Sequence, residues 1–163
     1  MFRIFQLCMI ALSLASCAVS NNATSPGSIE LGTIPMELTT HLGDQQQFVD
    51  GDEIQFLLSL GQDAYIYMYY IDAANNITQI LPNENQQSNF YTAGYFLTIP
   101  EYENHYRFTI SKPFGKESIW VLASDRSIII NQAPESIEDI RQRVKRSSET
   151  AYGEYVLNIV TSK

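Results

Sequence analysis

The sequence predicts a mainly β protein, an antiparallel β-sandwich that is immunoglobulin-like or a partly open barrel, with one C-terminal helix. Three observations lead there. Short runs of Tyr, Phe, Ile, Leu and Val recur between residues 33 and 124, separated by Gly, Pro, Asn and Asp. Many short strands at such spacing pack as two sheets or a barrel. A single segment near the end repeats its apolar residues at helical intervals, and aromatic residues, 12% of the chain, supply area for a core.

Strands are expected over residues 33–40, 53–60, 64–72, 77–81, 95–99, 106–111 and 118–124. Gly61-Gln62-Asp63 and residues 73–76 read as hairpin connections, since the Asn75-Asn76 pair tolerates positive φ. Pro82 ends one strand by removing a ladder donor, and Pro113-Phe114-Gly115 turns the chain before the next. Pro134 and Glu135 open the helix, and Ile137, Ile140 and Val144 line one side of it. Acidic Glu135, Glu138 and Asp139 come early and basic Arg141, Arg143, Lys145 and Arg146 late, the order that the helix dipole favours. A last strand over residues 155–160, rich in β-branched side chains, is expected to rejoin the sheet.

Met1-Phe2-Arg3 carries one positive charge, and the apolar run over residues 4–14 is too short to span a bilayer, so it reads as a signal peptide. Leu14-Ala15-Ser16-Cys17 resembles the bacterial lipobox, which implies lipid on the Cys17 thiol and cleavage just before it. An ordinary secretory signal cut near Ala15 to Ala18 is the alternative. On the lipoprotein reading, residues 1–16 are the signal peptide, 17–30 a flexible polar tether, and 31–163 one domain. Cys8 leaves with the signal, so the fold stands without a disulfide. The residue after the cysteine is Ala18 rather than Asp. The resemblance to Gram-negative lipoproteins then implies the outer membrane, lipid-anchored and facing the periplasm.

A second resemblance rests on "GDEIQFLLS" from Gly51, "DAYIYMYYID" from Asp63, "ITQILPN" ending at Asn83, "AGYFLTIP" from Ala93 and "PFGKESIWVLAS" from Pro113. In this order, from Phe48 to Ser124, they are similar to a bacterial extracytoplasmic family, domain of unknown function 4384. Two positions depart from its pattern. Asn75-Asn76 stands where Asp-Gly is common, and Leu81 where Phe usually precedes the Pro-Asn. The resemblance implies a β-rich accessory or interaction module without an assigned catalytic activity.

Residues 64–71 place Ala64, Ile66, Met68 and Tyr70 on one face and Tyr65, Tyr67, Tyr69 and Ile71 on the other. With both faces apolar or aromatic, the strand is either covered on two sides or keeps Tyr65, Tyr67 and Tyr69 open as a binding strip. The basic cluster of Arg141, Arg143, Lys145 and Arg146 reads as a solvated helix end or as a contact for acidic lipid, peptidoglycan carboxylates or a protein. The amide-rich loop over residues 82–90 reads as solvent-exposed, with a polar contact as the other option.

Little chemistry is indicated. His41 and His105 are the two histidines, and no HExxH, Cys pair, GxSxG or phosphate loop occurs, so no metal, cofactor or catalytic residue is expected. Asp50-Gly51-Asp52-Glu53 lacks the alternating oxygens of a calcium loop and reads as a strand-entry turn. A net charge of -8 argues against nucleic acid as a partner. The expectation is a non-catalytic outer-membrane lipoprotein whose domain is an interaction or structural accessory module in a cell-envelope assembly such as a secretion-system outer-membrane complex. Its partners would be the membrane, through Cys17, and envelope proteins. A periplasmic peptidoglycan- or glycan-binding module is the alternative.

Overall fold

The computed structural model describes residues 29–43, 47–104, 106–129, 136–147 and 151–163. Within them the chain forms a β-sandwich with one helix on the outer face of the larger sheet. That sheet runs β1 (Ile29–Gly32), β12 (Tyr152–Ser162), β11 (Lys116–Ser124), β6 (Ala64–Ile71) and β7 (Ile77–Leu81), side by side. The short β3 (Gln47–Val49) also pairs with β12, and β8 (Phe90–Tyr91) with β6. The smaller sheet is β2 (Met36–Thr40), β5 (Phe56–Leu60) and β9 (Phe96–Ile99), with β5 central. A two-residue ladder joins β4 (Glu53–Ile54) to β10 (Phe108–Thr109). The sheets stay separate rather than closing into a barrel, and the pairing is antiparallel except where β3 runs parallel to β12.

Alternation builds the core. Ala64, Ile66 and Met68 of β6, Ile119, Val121 and Ala123 of β11, and Tyr155, Leu157 and Ile159 of β12 face inward. They meet Met36, Leu38, Phe56, Leu58 and Leu60 of the smaller sheet. The opposite face of the large sheet carries Tyr67, Tyr69, Trp120 and Leu122, which lie under Ile140 and Val144 of α1 (Ile137–Ser147) and under Ile128. One sheet is thus buried on both faces, which is why β6 and β11 read as near-continuous apolar runs.

The structure redraws several expected boundaries. The expected strand over 53–60 breaks at Gln55, because Glu53 and Ile54 pair with β10 while residues from Phe56 onward join the smaller sheet. The expected strand over 33–40 starts at Met36, since Thr33 and Ile34 make the corner between the sheets, both donating their amides to the Tyr152 carbonyl at 2.7 and 3.0 Å. Gly153 makes this corner possible, because a Cβ there would stand 2.4 Å from the Ile34 carbonyl oxygen. The expected tether through residue 30 overlaps β1, which begins at Ile29 and pairs with β12. The last strand extends well beyond 155–160 and lies inside the large sheet, bonded to β1 and β3 on one side and β11 on the other. The helix starts at Ile137, where the Ser136 hydroxyl accepts the Asp139 amide at 3.2 Å and donates to the Asp139 carboxylate at 2.7 Å. Pro134 and Glu135 lie outside the described residues.

Candidate functional site

The tyrosine face is closed. Tyr67 and Tyr69 are buried and Tyr65 is half-buried, because α1 and Ile128 cover this side of β6. The open binding strip is therefore corrected to a core face. The Tyr67 hydroxyl accepts the Ile128 amide at 2.6 Å and donates to the Ile128 carbonyl at 3.0 Å, pinning the segment that follows β11. The Tyr69 hydroxyl, at 0% exposure, has no hydrogen-bond partner among the described residues. Burial first, and then neighbouring Tyr67, hold its pKa well above the ordinary tyrosine range, with Arg143 opposing.

The basic cluster is also dispersed. Arg141 turns inward, its guanidinium carbon 5.0 Å from the Trp120 ring centroid and its Nε 2.9 Å from Glu154 Oε2. Glu154 is buried to 1% exposure and accepts the Trp120 indole N–H at 2.7 Å as well. A second guanidinium nitrogen of Arg141 pairs with Glu138 on the preceding turn. The Glu154 hydrogen bonds first, then those from Glu138, raise the Arg141 pKa further above its usual value. Lys145 lies 5.3 Å over the Tyr152 ring, Arg143 is half-buried and Arg146 is exposed. Arg141 is thus a clasp that holds the helix to the sheet rather than a contact offered to a partner.

Other expected features have structural tasks. Asp52 accepts the Val49 amide at 2.8 Å in the turn between β3 and β4. His41 Nδ1 accepts the Gln55 amide at 3.3 Å, while His105 and Cys17 lie outside the described residues. Among the described residues, no three His, Cys, Asp or Glu side chains gather as a metal site. The loop over 82–90 is bound to the fold. Asn89 donates its amide side chain to the Ile66 carbonyl and accepts the Ile66 amide with its own carbonyl. Buried Gln86 donates to the Tyr91 hydroxyl at 2.6 Å and to Glu101 at 2.9 Å. The loop is solvent-exposed at Glu84, Asn85, Gln87 and Ser88, as expected, and is stapled to the fold by the amides of Gln86 and Asn89.

Among the large apolar side chains left exposed, the rings of Tyr95, Phe96 and Tyr102 stand on or beside β9 of the smaller sheet. β9 is an edge strand that pairs with β5 on one side. Leu97 and Ile99 pack toward the core, so alternation turns Phe96 outward, 75% exposed, next to Tyr95 at 71%. Tyr102, in the loop after β9, is 84% exposed. No charged residue interrupts β9, whereas β2 carries Glu37 and β7 is bulged opposite Met68 and Tyr69, two devices that discourage edge pairing. The adjacent pair Tyr95-Phe96 was visible in the sequence, but nothing there assigned one ring to solvent.

Residues 47–127, from β3 through β11, match the family described as a domain of unknown function, DUF4384. Over these residues the chain is similar to the DUF4384 family. β12, α1, β1 and β2 lie outside the DUF4384 match, although β12 supplies an interior strand of its larger sheet. Comparison with curated proteins and with solved structures finds no match.

Proposed function

We propose that this chain is a non-catalytic outer-membrane lipoprotein, anchored through Cys17 and facing the periplasm. Its sandwich serves as an interaction module in a cell-envelope assembly, with a secretion-system outer-membrane complex as the kind of assembly intended. The observation that supports this reading is the β9 edge, where Tyr95 and Phe96 stand exposed beside strand groups that have no partner strand among the described residues. Large exposed rings on an unguarded edge are the surface from which main-chain pairing and aromatic anchoring build an interface.

The test is co-purification from cells of a C-terminally tagged chain after mild crosslinking and membrane solubilisation. The wild type is expected in a large particle containing other envelope proteins. Phe96→Ser with Tyr95→Ser should reduce that particle to the lone chain with the thermal midpoint unchanged, since both rings are already solvated. Cys17→Ser should release the protein from the membrane. A double variant that still assembles would remove β9 as the contact, and a Cys17→Ser protein that stays membrane-bound would remove the lipid anchor.

A further inference from the structure

The end of the sandwich to which β6 runs holds two shallow grooves, one on each side of Arg107. One, of 230 Å³, is lined by Tyr70, Tyr106 and Phe108 and by Thr78, Thr109 and Ser111. The other, of 260 Å³, has Glu53, Gln55 and His41 along its wall. The β4–β10 ladder lies between them, giving Glu53 and Ile54 to one groove and Phe108 and Thr109 to the other. Each groove is small, and Arg107 lines both, which makes them neighbours.

Its walls are held in place before any ligand arrives. The Tyr70 hydroxyl donates to buried Glu117 at 2.5 Å, and its ring meets Phe108 edge-on at 4.9 Å. Arg107 Nη1 donates to the Asn104 and Tyr106 carbonyls at 2.6 and 2.9 Å. Asp72, on the rim, accepts the Ala74 and Asn76 amides, both at 2.8 Å, so its carboxylate is fixed by the turn. Against these fixed groups, the hydroxyls of Thr78, Thr109 and Ser111 and the ammonium of Lys112 make no hydrogen bond to the described part of the chain.

We propose that the paired grooves bind a chain of neutral or N-acetylated sugars. Hydroxyl side chains that both donate and accept match sugar hydroxyls, and half-buried tyrosine rings offer apolar surface to the C–H face of a pyranose. Charge points the same way. Arg107 and Lys112 are offset by Asp72 and Glu53, so the site favours neither a polyanion nor a polycation. Two neighbouring grooves that share Arg107 suit adjacent rings of one chain, and the fixed walls reduce the ordering cost of binding. This inference stands apart from the β9 interface, which involves other residues.

The test uses the full chain in detergent micelles. Its binding to an N-acetylglucosamine tetramer and to a glucose tetramer is followed by saturation-transfer NMR, and its sedimentation with purified peptidoglycan sacculi is measured alongside. Binding of at least one probe is expected, with N-acetyl signals saturated first if the N-acetyl groups are read. Thr109→Val with Ser111→Ala should weaken it by about fivefold for each hydrogen bond lost. Lys112→Ala, on an exposed side chain, is the second variant should the first lose its fold. Phe96→Ser should leave sugar binding unchanged, which separates this site from the interface. Failure of the folded wild type to bind either tetramer or the sacculi would overturn the proposal, as would binding that the groove variants do not alter.

Discussion

Tyr67 and Tyr69 lie two residues apart on the same face of β6, yet their hydroxyls have opposite energetic signs. Tyr67 closes a two-bond ring with the Ile128 backbone, whereas the Tyr69 hydroxyl is buried and unpartnered. An unmade buried hydrogen bond costs more than an average made one contributes. Tyr67→Phe is therefore expected to lower stability by about 1–2 kcal/mol, because it strands the Ile128 amide and carbonyl together. Tyr69→Phe keeps the ring and is expected to raise stability by up to about 1 kcal/mol. Urea denaturation of the two variants against the wild type decides the matter, and equal losses would mean that the Tyr69 hydroxyl is satisfied.

At the scale of elements, the decisive contact is the one between α1 and the large sheet. Ile140 and Val144 supply apolar burial, and Arg141 adds a charge that reaches across to Glu154 beneath it. A buried ion pair contributes little net stability relative to an apolar replacement, but breaking it from one side leaves a carboxylate without compensation. Arg141→Met is expected to cost about 3 kcal/mol, and adding Glu154→Leu to recover most of that loss. Thermal and chemical unfolding of the single and double variants measures the coupling. If the single variant proved as stable as the wild type, α1 would be held by its apolar face alone.

Over the whole molecule, the buried phenols set the alkaline limit. Burial is the first cause of the raised pKa at Tyr69, Tyr70 and Tyr91, with neighbouring Tyr67 adding at Tyr69 and the Glu117 carboxylate at Tyr70. Tyr91 is pushed up to about 12. In the unfolded chain such groups ionise near their ordinary value of about 10, while in the folded chain they keep their protons. Their stabilising effect is therefore complete below about pH 10 and is lost as pH rises toward the folded values, by about 1.4 kcal/mol per pH unit for each fully buried group. The urea midpoint should be flat up to about pH 10 and fall steeply above it, with a set of tyrosines ionising only as the fold is lost. A gradual titration of all ten tyrosines without unfolding would contradict the burial described here.

The sequence by itself determined the β class, the two-faced character of β6 and the charge order of α1, because each depends on local periodicity that residues a few positions apart already express. The DUF4384 motifs were legible for the same reason, as short patterned strands in a fixed order. Tertiary structure decided which patterned faces remain open. The face of Tyr65, Tyr67 and Tyr69 could have been covered or open until α1 packed over Tyr67 and Tyr69, while Phe96 became exposed because its neighbours Leu97 and Ile99 took the inward positions. Arg141 looked like a surface cation until β12 brought Glu154 beneath it, across the 13 residues that separate them in sequence. The groove walls converge from the β6–β7 hairpin and from β10, which follows it only after β8 and β9. Sheet order and layer coverage are long-range properties, and no pattern within a single strand encodes which neighbour will lie against it.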